Sequence, residues 1–262
     1  MRLIQLAKRV YRSIGSPVRA PHTISLLRSA LLQPRVFDLL SLFMQARDGR
    51  RLVAIEKNYA SEDEYVREVH DYNAGKTLQK LITSTRRAEL LYHAIVLPPR
   101  DLSAERLLII GPRNVHELLT AWLYGFRWKN IQGIDLYSTN PKILTMNMES
   151  MTFADASFDA VVMSNTLAYA ADTFKCLAEI HRVLKPGGRL VFGATYDPGD
   201  RKWAGSVVSG AQILDMLRRL EFQLYYYDPT DKINGSQRLQ TSHLFGCQKR
   251  DPSAVGFDRI KW

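Results

Sequence analysis

The chain has 262 residues, 46% apolar and 24% charged, with a formal net charge of +10 at pH 7. Those proportions fit one large soluble domain, or one domain with an extension, and no apolar run approaches the roughly 20 residues that span a bilayer. Cys176 and Cys247 lie far apart and outside any C-x-x-C pair, which argues against a zinc site or disulfide framework, predicts no metal, and favours a reducing, cytoplasmic setting.

The charge is uneven. Residues 1–60 hold eleven Lys or Arg against Asp38, Asp48 and Glu56, a net of +8, which leaves +2 for the rest. A cationic head predicts an anionic partner: a phospholipid surface, a phosphorylated substrate or RNA. Residues 2–14 read as an amphipathic helix, with Leu3, Ile4, Ala7, Val10, Tyr11 and Ile14 on one face and Arg2, Lys8, Arg9 and Arg12 on the other. Gly15-Ser16-Pro17 ends it. Residues 23–46 hold a second apolar, basic stretch interrupted by Pro34. Three readings compete for this head. It packs on the main domain, it lies on an anionic membrane through residues 1–37 as a peripheral anchor, or it is a mitochondrial presequence. No RNA-binding signature accompanies it, so RNA is the lesser alternative.

Residues 61–95 read as polar and helical, with Ser61-Glu62-Asp63-Glu64 as a helix start. Pro98-Pro99-Arg100-Asp101 predicts a hinge. Strands and helices then alternate. The strands are Arg106–Ile110, Ile131–Leu136 ending in Asp135-Leu136, Phe158–Met163, Arg189–Gly193, Phe222–Tyr227 and His243–Gln248. The helices are Val115–Tyr124, Ala171–Leu184 and Ala211–Leu220. Lys185-Pro186-Gly187-Gly188 is a tight turn, and Tyr225-Tyr226-Tyr227 a strand with two rings on one face and one on the other. This alternation predicts an α/β, doubly wound, Rossmann-like sheet with helices on both faces and an antiparallel pair at its edge. The domains expected are a basic helical cap at 1–100, the sheet domain at 101–250 and a tail at 251–262.

Residues 146–192 include FADASFDAVV and EIHRVLKPGGRLVF. This stretch resembles the middle of class I S-adenosylmethionine-dependent methyltransferases of the small-molecule branch, and the resemblance covers residues 104–250. It implies a seven-stranded sheet and S-adenosylmethionine as cofactor. In such enzymes the cofactor lies across the carboxyl ends of the strands. The first loop is Gly111-Pro112-Arg113-Asn114, where glycine permits a sharp turn and close approach. Asp135, 24 residues after Gly111, fits the ribose-binding acid, two oxygens suiting a vicinal diol. The resemblance further implies Leu136 beside it, Asn147 and Met148 at the adenine, and Ser164 and Asn165 at the methyl-donor pocket. The loop departs from the family pattern. Ile109 stands where an acid is usual, and Arg113 and Val115 replace the second and third glycines. A GPRN loop is similar to that of glycan-cluster methyltransferases. Glu117, in the next helical turn, is the candidate to supply the missing carboxylate to the methionine amino group. A fold retained without catalysis, as a binding module, is the alternative.

An Asn/Asp-Pro-Pro-Tyr/Phe box is missing, and neither cysteine follows a proline near a strand end. Amine and cytosine methylation are therefore disfavoured, and O-methylation of a sugar, a glycan-linked group or a phosphorylated small metabolite is the expected reaction. RNA methylation is the second enzyme reading. Tyr169, Tyr196 and Asp197 follow strand ends and are the candidate acceptor contacts, while His116, Tyr169 and Tyr196 are the weak candidates for a base.

Overall fold

The computed structural model describes residues 63–79, 86–96, 100–138, 140–199, 202–233 and 239–253, together with the isolated positions Val36, Leu39 and Phe43. The helix expected at 2–14 lies outside the described residues, as do the Pro98-Pro99 pair, residues 254–262 and, apart from those three positions, the 23–46 stretch. Val36, Leu39 and Phe43 are helical and exposed.

The polar stretch at 61–95 forms two helices, α1 (Glu64–Gln79) and α2 (Arg86–Val96). Asp63 caps α1, its Oδ1 accepting from the N–H groups of Tyr65 at 2.9 Å and Val66 at 3.3 Å. The sheet follows, with β1 (Leu107–Ile110), α3 (Val115–Leu123), β2 (Ile131–Asp135), β3 (Ile143–Thr145) and β4 (Phe158–Met163). Then come α4 (Thr173–Val183), β5 (Leu184–Tyr196), α5 (Gly210–Arg219), β6 (Phe222–Ile233) and β7 (Leu239–Lys249). Strand order is β3-β2-β1-β4-β5-β7-β6. The first five strands pair in parallel, and β7 runs antiparallel between β5 and β6. The doubly wound sheet is the expected one. β3, three residues long, has no periodic signal of its own in the sequence.

Alternation assigns the two faces. Leu108, Ile110, Val161, Met163 and Phe192 pack on Leu177 and Ile180 of α4 and Ile213 and Leu217 of α5. Leu107, Ile109, Ala160, Val162 and Val191 pack on Leu91, Tyr92 and Ile95 of α2 and on Leu118 and Ala121 of α3. The position 100/101 therefore falls between two parts of one core. A buried ion pair reinforces that join. Arg189 on β5, fully buried, bonds Glu105 just before β1 and donates to the Ile95 carbonyl at the end of α2. Burial pushes the Glu105 carboxyl up and the Arg189 guanidinium down, each partly offset by the other's charge.

Two local features follow from the backbone. In KPGG, Phe158 pairs with Leu184 but Ala160 with Arg189, so the turn is an irregularity within β5 and not a break before it. In the tyrosine triplet a bulge falls between Leu224 and Tyr226. It turns Tyr225 and Tyr226 both toward the α2 side and Tyr227 toward the other, where simple alternation would have paired Tyr225 with Tyr227.

Candidate functional site

The carboxyl ends of β1, β2 and β4 open into a cleft of about 470 Å³, its mouth included. β1 and its loop supply Ile110 and Gly111. β2 supplies Ile134, Asp135 and Leu136. The turn after β3 supplies Met146, Asn147, Met148 and Glu149, and the turn after β4 supplies Thr166 and Tyr169. The fourth side is α1, whose Tyr65, Val66, Val69 and Asn73 share one helical face by their spacing and look into the cleft.

Each polar group has a local reason for its place. Gly111 has φ +67°, and a Cβ there would lie 2.1 Å from Thr166 Oγ1, so glycine is required by backbone and neighbour alike. Thr166 in turn donates to the Ile110 carbonyl at 3.3 Å, tying the β4 turn to the end of β1. Arg113 occupies the family's second glycine position and adopts φ +44°. The loop thus keeps a left-handed turn with a residue for which that conformation costs on the order of 1–3 kcal/mol. Its backbone N–H bonds the Asp135 carboxylate, with those of Tyr137 and Leu136. Burial raises the Asp135 pKa to about 6, against the lowering effect of these donors.

Asn114 is buried and caps α3, accepting from the His116 N–H at 3.0 Å. Glu117 is also buried, and burial raises its pKa to about 8, with the Arg113 charge lowering it and the Asp135 charge raising it. Asn147 Oδ1 accepts from the Glu149 N–H at 2.9 Å, which fixes the side chain on its own turn at the cleft. Glu149 Oε1 accepts from the Ala171 N–H at 2.6 Å and the Asp172 N–H at 3.3 Å, which pins the β3 turn to the start of α4.

Of the residues expected from sequence, the cleft brings together Gly111, Asp135, Leu136, Asn147, Met148 and Tyr169. Pro112, Arg113, Asn114, His116 and Glu117 lie in or beneath the loop and do not line it. Asn165, with φ +58°, accepts from Thr195 Oγ1 at 3.4 Å, and neither it nor Ser164 lines the cleft. Tyr196 and Asp197 also stand outside, Asp197 Oδ1 accepting from the Gly199 N–H at 3.1 Å. Missing from the sequence reading are Thr166, Glu149 and the four α1 residues. Thr166 could have been found one residue past the Ser-Asn pair, but no local signal marks α1 as a wall of this cleft.

Against known proteins, residues 125–192 match the methyltransferase domain family. Matched segment, strand order and cleft position are similar to those of class I S-adenosylmethionine-dependent methyltransferases, the family match itself spanning residues 125–192. Among curated relatives, the chain is 42% identical over 52 residues to "Ubiquinone/menaquinone biosynthesis C-methyltransferase UbiE" of Marinomonas sp. (strain MWYL1). The match covers 20% of this chain and 21% of that protein, so the chain spans about a fifth of the relative it matches. Geranyl diphosphate C-methyltransferase from Streptomyces coelicolor A3(2), solved with Mg2+, geranyl diphosphate and S-adenosyl-L-homocysteine, shares the fold. Its TM-score is 0.56 at 12% identity, covering 72% of this chain and 100% of that one. The [4+2]-cyclase SpnF has a TM-score of 0.50 at 16% identity, covering 63% and 80%. The same sheet therefore carries more than one chemistry, and fold alone does not assign a reaction.

Proposed function

We propose that the protein transfers the methyl group of S-adenosylmethionine to an oxygen of a small molecule. The observation that carries this reading is Asp135. It is a carboxyl group at the end of β2, held by backbone N–H groups from both the β1 loop and its own turn, and it opens on a cleft also lined by Gly111 and Asn147. That arrangement suits two ribose hydroxyls at Asp135. Asn147 would offer amide donors and a carbonyl to an adenine edge, with Met148 beside it against the ring. Gly111 leaves the loop backbone uncovered for the methionine part. The cofactor supplies an electrophilic methyl group, and the protein's part is to align the acceptor and shield the reaction from water.

The hydroxyl acceptors expected from sequence were a sugar, a glycan-linked group or a phosphorylated metabolite. Among the described residues, no lysine, arginine or histidine lines the cleft, and Asp135 and Glu149 do. The described lining therefore favours a neutral acceptor over a phosphorylated one. Calorimetric titration with S-adenosylmethionine and S-adenosylhomocysteine tests the reading. Binding by the wild type should weaken about 10- to 100-fold in Asp135→Ala, the cost of lost hydrogen bonds to a charged group. A wild type that binds neither compound would leave the non-catalytic module as the better account.

A further inference from the structure

Tyr65 and Tyr169 come from different elements, α1 and the turn after β4, and both look into the cleft. They meet through Trp203, which is buried in the segment between β5 and α5. Ring centroids lie 6.2 Å apart for Tyr65 and Trp203 and 5.2 Å for Tyr169 and Trp203, both edge-to-face. Tyr72, two turns along α1 from Tyr65, closes the cluster at 5.0 Å from Trp203 and 6.1 Å from Tyr169. Tyr65 Oη also accepts from the Ala204 N–H at 3.1 Å, which fixes its ring on the same segment. Two tyrosine rings are thus held in place at the cleft by a buried third.

The polar groups of the cleft say what could react there. Glu149 is engaged by two backbone N–H groups and Asp135 by three. Among the described residues, no histidine lines the cleft. A sugar hydroxyl is much less acidic than a phenol and would need a stronger base at the transition state. A phenol, at about 10 like a tyrosine side chain, needs much less help.

We propose that the acceptor is a neutral, planar, phenol-like ring laid against Tyr65 and Tyr169. This rests on the methyltransferase reading above and narrows its acceptor. The acceptor oxygen attacks the methyl carbon. The new C–O bond forms as the S–C bond breaks, the bonding pair stays on sulfur, and the phenolic proton leaves to water. Ring-on-ring contact supplies the orientation, since offset or edge-on aromatic pairs are favoured beyond their buried area.

The test uses the full chain loaded with S-adenosylhomocysteine and three probes: 2-naphthol, methyl α-glucopyranoside and glucose 6-phosphate. Titration should show 2-naphthol binding and neither sugar binding. Tyr169→Leu should weaken 2-naphthol by about five- to tenfold, the worth of an aromatic contact, and should weaken it more than it weakens S-adenosylhomocysteine. Tyr65→Phe, which keeps the ring and loses only the bond to Ala204, should retain 2-naphthol binding. With S-adenosylmethionine, turnover should give the methyl ether of 2-naphthol by mass spectrometry. If S-adenosylhomocysteine itself does not bind, the methyltransferase reading fails first. If it binds but 2-naphthol does not, or a sugar binds in its place, or Tyr169→Leu leaves 2-naphthol unaffected, the ring inference is overturned alone.

Discussion

The two helices ahead of β1 are adjacent in sequence and opposite in role. α2 is built into the core, with Leu91, Tyr92 and Ile95 at 1% exposure or less against β1, β4 and β5. α1 has Val66 and Val69 buried, but it turns those residues, with Tyr65 and Asn73, toward the cleft. One helix is therefore a structural member of the domain and the other a wall of its site. Proximity to the sheet domain in sequence says nothing about which is which. The difference lies in what each apolar face meets: side chains of the sheet for α2, and a space meant for a ligand for α1.

The largest effect expected from this contrast is at the α2 join. Glu105→Ala would leave Arg189 buried without its partner and should destabilise the protein by about 3–5 kcal/mol in chemical denaturation. Should stability hold within 1 kcal/mol, α2 would not be a core element in the sense described. Next comes the junction between α2 and the cofactor loop, where Tyr92 Oη donates to the Glu117 carbonyl at 3.2 Å. The native state holds a proton on Glu117 up to about pH 8, whereas the unfolded chain loses it in the ordinary carboxylate range. The contribution of Glu117 to stability should therefore fall as pH rises from that range to about 8. Glu117→Gln should flatten that part of the stability profile, as measured by unfolding at a series of pH values. The same variant bears on the expectation that Glu117 meets the methionine amino group, for unchanged S-adenosylmethionine affinity would remove it from that role. The smallest stability effect belongs to α1. Val69→Ala should cost about 1–2 kcal/mol, two buried methyl groups, yet it should weaken S-adenosylhomocysteine binding, which Glu105→Ala at a folded temperature should not. Equal effects of both variants on binding would erase the distinction between wall and support.

Much of the sheet was legible because short apolar runs between helical segments are local information. The runs at 107–110, 131–135 and 158–163 announce buried strands by themselves, and the acid ending β2 is found by its distance from the loop glycine. Gly111, Asp135, Asn147 and Met148 were legible for the same reason, since strand ends fix where the cleft must lie. Ser164 and Asn165 stand just outside the cleft lining. The chain leaves β4 with Asn165 in a left-handed conformation, which turns the following Thr166 to the cleft. No pattern of residue types reports that rotation.

What the sequence by itself determined was the doubly wound fold, its resemblance to methyltransferases and the acid at the end of β2, together with the concentration of charge in the first 60 residues. These depend on local periodicity, spacing and composition. Only the tertiary structure decided that α1 closes the cleft, that α2 belongs to the core, that Arg113 carries a glycine's backbone conformation, and that Tyr65, Tyr169 and Trp203 form one cluster. Each of those joins residues far apart in the chain, or depends on a backbone angle, and such contacts are set by the packing of whole elements.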